Sequence, residues 1–225
     1  MKWLTAHGTT LDREMYAWSA YTHSYHEGLV YINSIGPWNQ GIFAEMMYYP
    51  KTAETIKWLH SEFGVPLTFR CWGIAASQGD FEFLEWLKER DAPLDNDDAA
   101  IAAAENGQLA MLQYFDSINT EPWSELALDF ILVAAVNSGS MPTCEWIDTR
   151  FNATTIATHM QHMIFSHITL EAAEFAVKIG VTWHQLANKQ PGTDLKCADL
   201  RDCLSCEAFH WAHEQRQQCT CHVDD

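Results

Sequence analysis

The residue types best suited to chemistry lie near the C-terminus, where cysteines and histidines crowd together. Cys203 and Cys206 are separated by two residues, and Cys219 and Cys221 follow with a single residue between them. Zinc takes four tetrahedral Cys or His ligands, and two cysteines with two residues between them are a typical half of such a site. These four cysteines are therefore candidate ligands of a zinc ion, or the reactive groups of a small redox module.

Two features of the same segment favour a structural role for its cysteines. The second pair lacks the two-residue spacing, and a repeat that runs through the chain gives Cys206 the position of the apolar residues Phe81 and Leu109. A small cysteine is common in core positions. Seven cysteines are an odd number in a chain without a secretory signal, which favours free thiols in a reducing compartment. We therefore expect no bound metal and no other cofactor.

The acidic segment DNDD, which precedes an alanine-rich stretch, is a second candidate. Its carboxylates Asp95, Asp97 and Asp98 are suited to capping a helix and to the positive end of its dipole. A calcium loop would need further ligands at regular spacing and a glycine, and none follow in the sequence. The alternative to capping is a contact surface for a basic partner, which makes these three aspartates partner-binding candidates.

The ten tryptophans also need an explanation. Trp38, Trp123 and Trp183 lie in the connections between units of the repeat, and His184 is adjacent to the last of them. Stacked between units, these tryptophans would form an apolar ladder, which is the role that repeated positions usually have. Exposed on an edge, they would instead be hot spots of a binding surface. All four residues are partner-binding candidates on the second interpretation.

Charge and motifs limit the class of function. Lys and Arg number 13 against 30 Asp and Glu, so the formal net charge is −17. Nucleic acids and anionic membranes attract basic surfaces, so we expect neither as a partner, whereas a basic protein would complement this charge. No phosphate-binding glycine loop, G-x-S-x-G turn or H-E-x-x-H motif occurs, so we expect no enzyme activity. Without a signal peptide or an apolar run of about 18 residues, the chain is expected to be cytoplasmic.

The elements that must position these residues repeat along the chain. An aromatic anchor recurs at spacings of 28, 27, 28, 28, 32, 29 and 36 residues, at Trp3, Tyr31, Trp58, Trp86, Tyr114, Trp146, Phe175 and Trp211. Apolar residues lie five and two positions before most anchors and one position after them. Together with the anchor, these positions predict the broad stripe of a core-facing helix.

Most of the central units also carry turn signals. Glycine lies seven residues before the anchor in three units, at Gly79, Gly107 and Gly139. Proline follows the anchor by about seven residues in four units, at Pro37, Pro66, Pro93 and Pro122. The pattern predicts a short helix, a tight turn, a second helix and a proline-bearing connection in each unit. One such hairpin cannot bury its apolar face alone, so stacking of the units must provide the core.

AAxxG turns followed by an L-x-x-L helix occur at 75–79 and 103–107, and phrases such as WLHSEFGVPL (58–67) and YFDSINTEPW (114–123) follow. This pattern resembles ankyrin repeats, and more closely the divergent, Trp-rich ankyrin arrays common in giant viruses and protists. The resemblance covers essentially the whole chain and is strongest from about residue 50 to 147. It implies an adaptor function, including that of substrate adaptors for ubiquitin ligases where an F-box is attached; no F-box is recognisable here.

Two departures from the ankyrin pattern bear on the architecture. The TPLH opening of the first helix is absent, and the period is near 28 residues where ankyrin repeats have about 33. The missing residues fall in the connections. We therefore expect an all-α solenoid of stacked helix-turn-helix repeats in which short connections replace the long β-hairpin fingers.

The sequence thus predicts a single ankyrin-like array over residues 1–225, with about seven to eight units, an incomplete first unit and a capping unit at about 195–225. Its expected function is that of a non-enzymatic protein–protein interaction scaffold with an acidic concave surface, and the C-terminal metal-binding or redox module is the alternative. The N-terminal edge is expected to need further repeats or a partner. Residues 188–194 are expected to form a surface loop that tolerates deletion.

Overall fold

The fold is described by a computed structural model over residues 52–159, 165–189, 198–201 and 203–215. Within these ranges the secondary structure is helical, and its one β pairing is an isolated parallel bridge between Ile168 and Leu204. The helices of the described ranges are α1 Ala53–Phe63, α2 Arg70–Gln78, α3 Phe81–Lys88, α4 Asn96–Glu105, α5 Leu109–Ile118, α6 Glu125–Ser138, α7 Met141–Phe151, α8 Ala153–His159, α9 Leu170–Lys178, α10 Trp183–Leu186, α11 Ala198–Arg201 and α12 Cys206–Gln215. The all-α prediction is confirmed for the described ranges.

Three helix pairs have the predicted form of a first helix, a tight turn and a second helix. They are α2 with α3, α4 with α5, and α6 with α7. Short connections without strands precede their first helices, at 64–69, 89–95 and 119–124. The six anchors that fall in the described ranges all lie on helices, namely α1, α3, α5, α7, α9 and α12.

The turns inside these pairs depend on glycine. Gly79, Gly107 and Gly139 have φ angles of 68°, 64° and 70°, a left-handed conformation that costs any residue with a Cβ. After the glycine, the backbone N–H of Asp80 donates to the carbonyl of Ala75 at 3.0 Å, a bond that closes the end of the first helix. The same bond recurs one unit later, so the small alanines before the glycine belong to the turn itself.

The same glycines lie against the next unit. A Cβ atom added to Gly107 would be 2.9 Å from the Cβ of Ser140, and one added to Gly139 would be 3.3 Å from Thr169. Both contacted residues lie six positions before the next anchor, so equivalent turns meet in register. In the last two units, Ile168 and Leu204 replace glycine seven residues before the anchor. An isolated bridge joins these two equivalent positions by backbone hydrogen bonds of 3.0 and 2.9 Å.

The first helices of the three pairs pack side by side. Helix α4 lies between α2 and α6 and makes the most extensive contacts with both. Its alanines Ala99, Ala100, Ala103 and Ala104 are fully buried, and small side chains allow close helix packing. Close approach is also visible at Gly73 of α2, where an added Cβ would be 3.7 Å from Ala102.

The predicted core stripe of the second helices is only partly correct. The positions two before and one after the anchor are buried on all six described second helices. The anchors themselves are half-buried on five of these helices. Phe81, which lies five residues before its anchor, is 42% exposed. The third buried position is three before the anchor, where Thr55 and Thr143 are found. On a helix with 3.6 residues per turn, the anchor and the position five before it lie roughly 110° to either side of this stripe.

The half-buried anchors instead pack between units. The ring of Trp86 meets His60 of the preceding unit edge-on at 5.6 Å, and Tyr114 meets Phe81 of the preceding unit at 6.1 Å. Such edge-on aromatic pairs are favourable beyond their area of contact. The anchors therefore cover the junctions between neighbouring second helices.

Asn188, the first residue of the expected surface loop 188–194, is exposed but makes side-chain contacts that its deletion would remove. The side-chain amide of Asn188 accepts a hydrogen bond from the backbone N–H of Phe165 at 2.9 Å and donates to its carbonyl at 3.0 Å. It also donates to the thiol sulfur of Cys203 at 3.2 Å. Asn188 thus joins two segments that are distant in sequence, while residues 190–194 lie outside the described ranges, as do the N-terminal unit and residues 216–225 of the predicted cap.

Replacing Gly107 with alanine should test the contact between units separately from the backbone conformation. Gly64 has the same φ of 64° but no atom within 4 Å of an added Cβ, so Gly64→Ala should lower the free energy of unfolding by about 1 kcal/mol. Gly107→Ala should lower it by about 1–3 kcal/mol more, because Ser140 must move. In urea unfolding, Gly107→Ala/Ser140→Gly should recover most of that difference; equal costs at the two glycines would contradict a tight contact.

Replacing Asn188 with glycine should remove its hydrogen bonds while keeping its left-handed backbone, whose φ is 54°. We expect the free energy of unfolding to fall by about 2 kcal/mol, since two hydrogen bonds to the main chain are lost. Lys189→Ala is the control, because the neighbouring ion pair with Asp199 is partly exposed and should contribute less than about 1 kcal/mol. A thermal melt in which Asn188→Gly is no more harmful than the control would contradict this role.

Candidate functional site

The acidic segment begins helix α4, as the capping interpretation predicts. Asp95 is the N-cap, and its carboxylate accepts a hydrogen bond from the backbone N–H of Asp98 at 3.2 Å. Asp97 and Asp98 lie in the first turn, where negative charge is favourable. Capping, however, uses only one of the three carboxylates directly.

Among the described residues, the carboxylates on α4 form no salt bridge. Partial burial, and secondarily the charge of Asp95, raises the pKa of Asp97 above its ordinary value. Partial burial, and secondarily the charge of Asp98, likewise raises the pKa of Glu105 at the other end of the helix. In the part of the chain that the structure describes, none of these carboxylates takes part in an ion pair. The exposed side of α4 thus carries negative charge without a salt bridge in the described ranges, and Arg70, nine residues before Gly79, holds the position on α2 that corresponds to Asp98.

Exposed apolar side chains lie next to this negative surface. Leu126 and Phe130 on α6 are 61% and 44% exposed, and Leu94, just before α4, is 40% exposed. Counted back from the turn glycines, Leu94 corresponds to Leu126 and Asp98 to Phe130. Because α4 and α6 pack side by side and their turns meet, we infer that corresponding positions on the two helices, such as Asp98 and Phe130, are in register, with Leu94 just before the N-cap of α4. We call this surface the apolar–acidic face, and its residues are Leu94, Asp97, Asp98, Glu105, Leu126 and Phe130.

Trp123 lies in a different environment from the apolar–acidic face. It is only 8% exposed, and its indole N–H donates to the carboxylate of Asp116 at 3.0 Å. The other oxygen of Asp116 accepts from Nε of Arg150 at 3.0 Å. An open cleft of about 430 Å³ is lined by these three residues together with Leu128 and Phe151. The tryptophan is therefore held inside the junction between α5 and α7.

The remaining candidates near the connections are Trp183, His184 and Trp38. Trp183, the first residue of α10, is half-buried against the anchor Trp211, with ring centroids 5.7 Å apart. His184 is half-buried next to it. Trp38 lies outside the described residues. The structure thus places Trp123 and Trp183 at junctions between helices and does not bring them to the apolar–acidic face.

The C-terminal cysteines lie in two different environments. Cys203 is buried, whereas Cys206, the first residue of α12, is exposed. The prediction of a core role for Cys206 is therefore wrong, because its repeat position lies to one side of the buried stripe. In the described ranges no three metal-ligating side chains converge, and Cys219 and Cys221 lie outside those ranges.

Two further cysteines are buried in the helical core. Burial is the main cause that raises the pKa of the Cys144 thiol to about 12, and burial also raises the pKa of Cys71. A thiol acts as a nucleophile in its ionised form. Both thiols therefore remain protonated at neutral pH and are unsuited to nucleophilic chemistry.

Comparisons with known proteins do not assign the chain to a family. It matches no protein-family model, no curated protein and no solved structure. Within the described ranges, none of the helices combines the length and apolar character needed to cross a lipid bilayer. The function must therefore be inferred from the residues themselves.

Sequence reasoning did not find Glu105, Leu126 or Phe130. The signal for the last two is the composition of α6, which is apolar nearly all round over 14 residues. A helix that packs against neighbours on only part of its circumference cannot bury every apolar residue. Periodicity alone does not say which residues stay exposed, because that depends on where the neighbouring helices lie.

Replacing Glu105 with glutamine should stabilise the protein at neutral pH by about 0.5 kcal/mol, since a negative charge is removed from the last residue of α4 and from the vicinity of Asp98. The raised pKa means that the ionised form is disfavoured in the folded state. The gain in the free energy of unfolding should therefore be complete at pH values above the pKa of Glu105 in the folded state. It should disappear below the pKa of an unfolded glutamate, which is about 4.3.

Urea unfolding at several pH values measures this dependence. Glu85→Gln is the matched control, because Glu85 is paired with Lys88, so its replacement should not stabilise the protein. A gain for Glu105→Gln that persists unchanged at pH 3 would contradict the electrostatic explanation.

Proposed function

We propose that the chain is an ankyrin-like solenoid that acts as a non-enzymatic scaffold for protein–protein interaction, and that it binds its partner on the apolar–acidic face. The proposal depends chiefly on one observation. Helices α4 and α6 carry exposed apolar side chains and unpaired carboxylates side by side, and neither set is needed for packing within the described ranges.

The helix arrangement supports a scaffold. Equivalent turns contact each other from unit to unit, and the first helices pack in a row. Such an arrangement gives a rigid surface made of equivalent positions, which repeat proteins use for binding extended partners. The short connections leave the exposed side of the first helices, and not long fingers, as the surface for a partner.

The charge of the chain supports a basic partner. The net charge is −17, and Asp95, Asp97 and Asp98 concentrate part of it at one end of α4. Complementary charge speeds association and selects among partners. The buried, protonated thiols of Cys71 and Cys144 fit a non-catalytic protein in a reducing, cytoplasmic environment.

A capture experiment with charge variants tests the proposed surface. The protein, immobilised and exposed to a lysate of its native cells, should retain a defined partner. Asp97→Asn/Asp98→Asn/Glu105→Gln should reduce the retained amount at least about tenfold, in the range of an interface hot spot. The change in net charge is matched by Glu62→Gln/Glu145→Gln/Glu174→Gln, which alters exposed residues of α1, α7 and α9.

The control variant should retain the partner within about twofold, because exposed charges far from an interface contribute little. Equal losses in both variants would show that overall charge, and not this face, holds the partner. Undiminished retention by the first variant, with its helicity confirmed by circular dichroism, would move the binding surface elsewhere.

A further inference from the structure

The exposed apolar residues of α6 are placed for contact with another molecule. Leu126 and Phe130 are four residues apart and so lie on one side of the helix. The opposite side of α6 already fills the core, where Leu132, Ala135 and Val136 are fully buried. Large apolar side chains exposed next to each other mark interaction surfaces.

The neighbouring acids restrict what that molecule can be. Asp98 on α4 holds the position that corresponds to Phe130 on α6, and packed helices are about 8–10 Å apart. Its carboxylate lies toward α2, where Oδ2 is 3.8 Å from a Cβ added to Gly73. An occupant that covers Phe130 therefore also approaches Asp98. It must supply apolar surface for one helix and positive charge for the other, since burying an uncompensated carboxylate is costly.

We propose that the apolar–acidic face binds a basic amphipathic α-helix of the partner protein. The apolar side of that helix covers Leu126 and Phe130 and reaches Leu94, while Lys or Arg residues at its flank pair with Asp97, Asp98 and Glu105. The proposal rests on the proposed scaffold function and names the chemistry of the partner.

The geometry favours a helix over other occupants. Exposed residues of the face are four apart on α6 (Leu126 and Phe130) and seven apart on α4 (Asp98 and Glu105), about one and two helical turns, and an amphipathic helix presents its own side chains at the same intervals. An extended peptide needs a strand edge for pairing, and the described ranges hold one isolated bridge and no strand. A second copy of the chain carries the same charge of −17, and an anionic membrane would also be repelled.

The test uses a synthetic helical peptide of about 18 residues, roughly 27 Å long, with leucines on one side and lysines flanking them. A labelled peptide is titrated with the full chain and its fluorescence anisotropy is measured at several salt concentrations. Two further peptides are compared: one with the same composition but no apolar side, and one in which glutamate replaces lysine. We expect each to bind at least about tenfold more weakly than the amphipathic basic peptide.

Protein variants separate the apolar contribution from the charged one. Leu126→Ser/Phe130→Ser should weaken binding about tenfold and leave its salt dependence unchanged. Asp97→Asn/Asp98→Asn/Glu105→Gln should weaken binding and flatten its salt dependence. The apolar control is Phe81→Ser/Ile118→Ser, which replaces two apolar residues of the second helices that are 42% and 37% exposed and should change the affinity less than about twofold.

Several outcomes would overturn the proposal. Native-like binding by Leu126→Ser/Phe130→Ser, or equal binding of the peptide without an apolar side, would show attraction by charge alone, which leaves the scaffold function standing. Sedimentation that shows a dimer abolished by Leu126→Ser/Phe130→Ser would make a second copy the occupant. Failure of the basic peptide to bind would exclude a basic amphipathic helix as the occupant. The capture experiment would then decide separately whether the scaffold proposal survives.

Discussion

The close approach of successive turns is the constraint on which the described structure depends. Gly107 has no side chain, so the Ser140 side chain of the next unit can occupy the space where a Cβ would lie. The same residue must also adopt a positive φ to reverse the chain. Only glycine meets both requirements, because any other residue would both strain the backbone and push the units apart.

The register of the first helices follows from these turn contacts. With the turns fixed, alanines of α4 such as Ala100 and Ala103 face neighbouring helices and are fully buried. Their small size brings the helices close, so the outward positions of α4 and α6 become neighbours. The apolar–acidic face is therefore a consequence of stacking, since Asp98 and Phe130 are far apart in sequence and hold corresponding positions only through the shared register.

The sequence predicted the turns well because glycine there has a specific physical task. The sequence predicted the buried stripe of the second helices less well. One of the three buried positions is occupied by Thr55 and Thr143 in two units, and a search for apolar residues misses threonine although both side chains are buried. The aromatic anchors were easy to recognise but lie at the edge of the stripe. Asn188 escaped notice because its amide bonds to Phe165, a contact that local sequence does not indicate. Of the candidate site, the aspartates at the start of α4 were found, and the exposed residues of α6 were not.

The position of Glu105 is informative because, unlike Asp95, Asp97 and Asp98 at the start of α4, it does not stabilise the helix. Stacking relies on alanine, glycine and backbone groups, so α4 could carry neutral residues on its exposed side. Glu105 instead places a negative charge at the end of a helix where the dipole is unfavourable, within the field of Asp98. Under the proposed function, a cationic partner would turn the repulsion at Glu105 into a selective attraction.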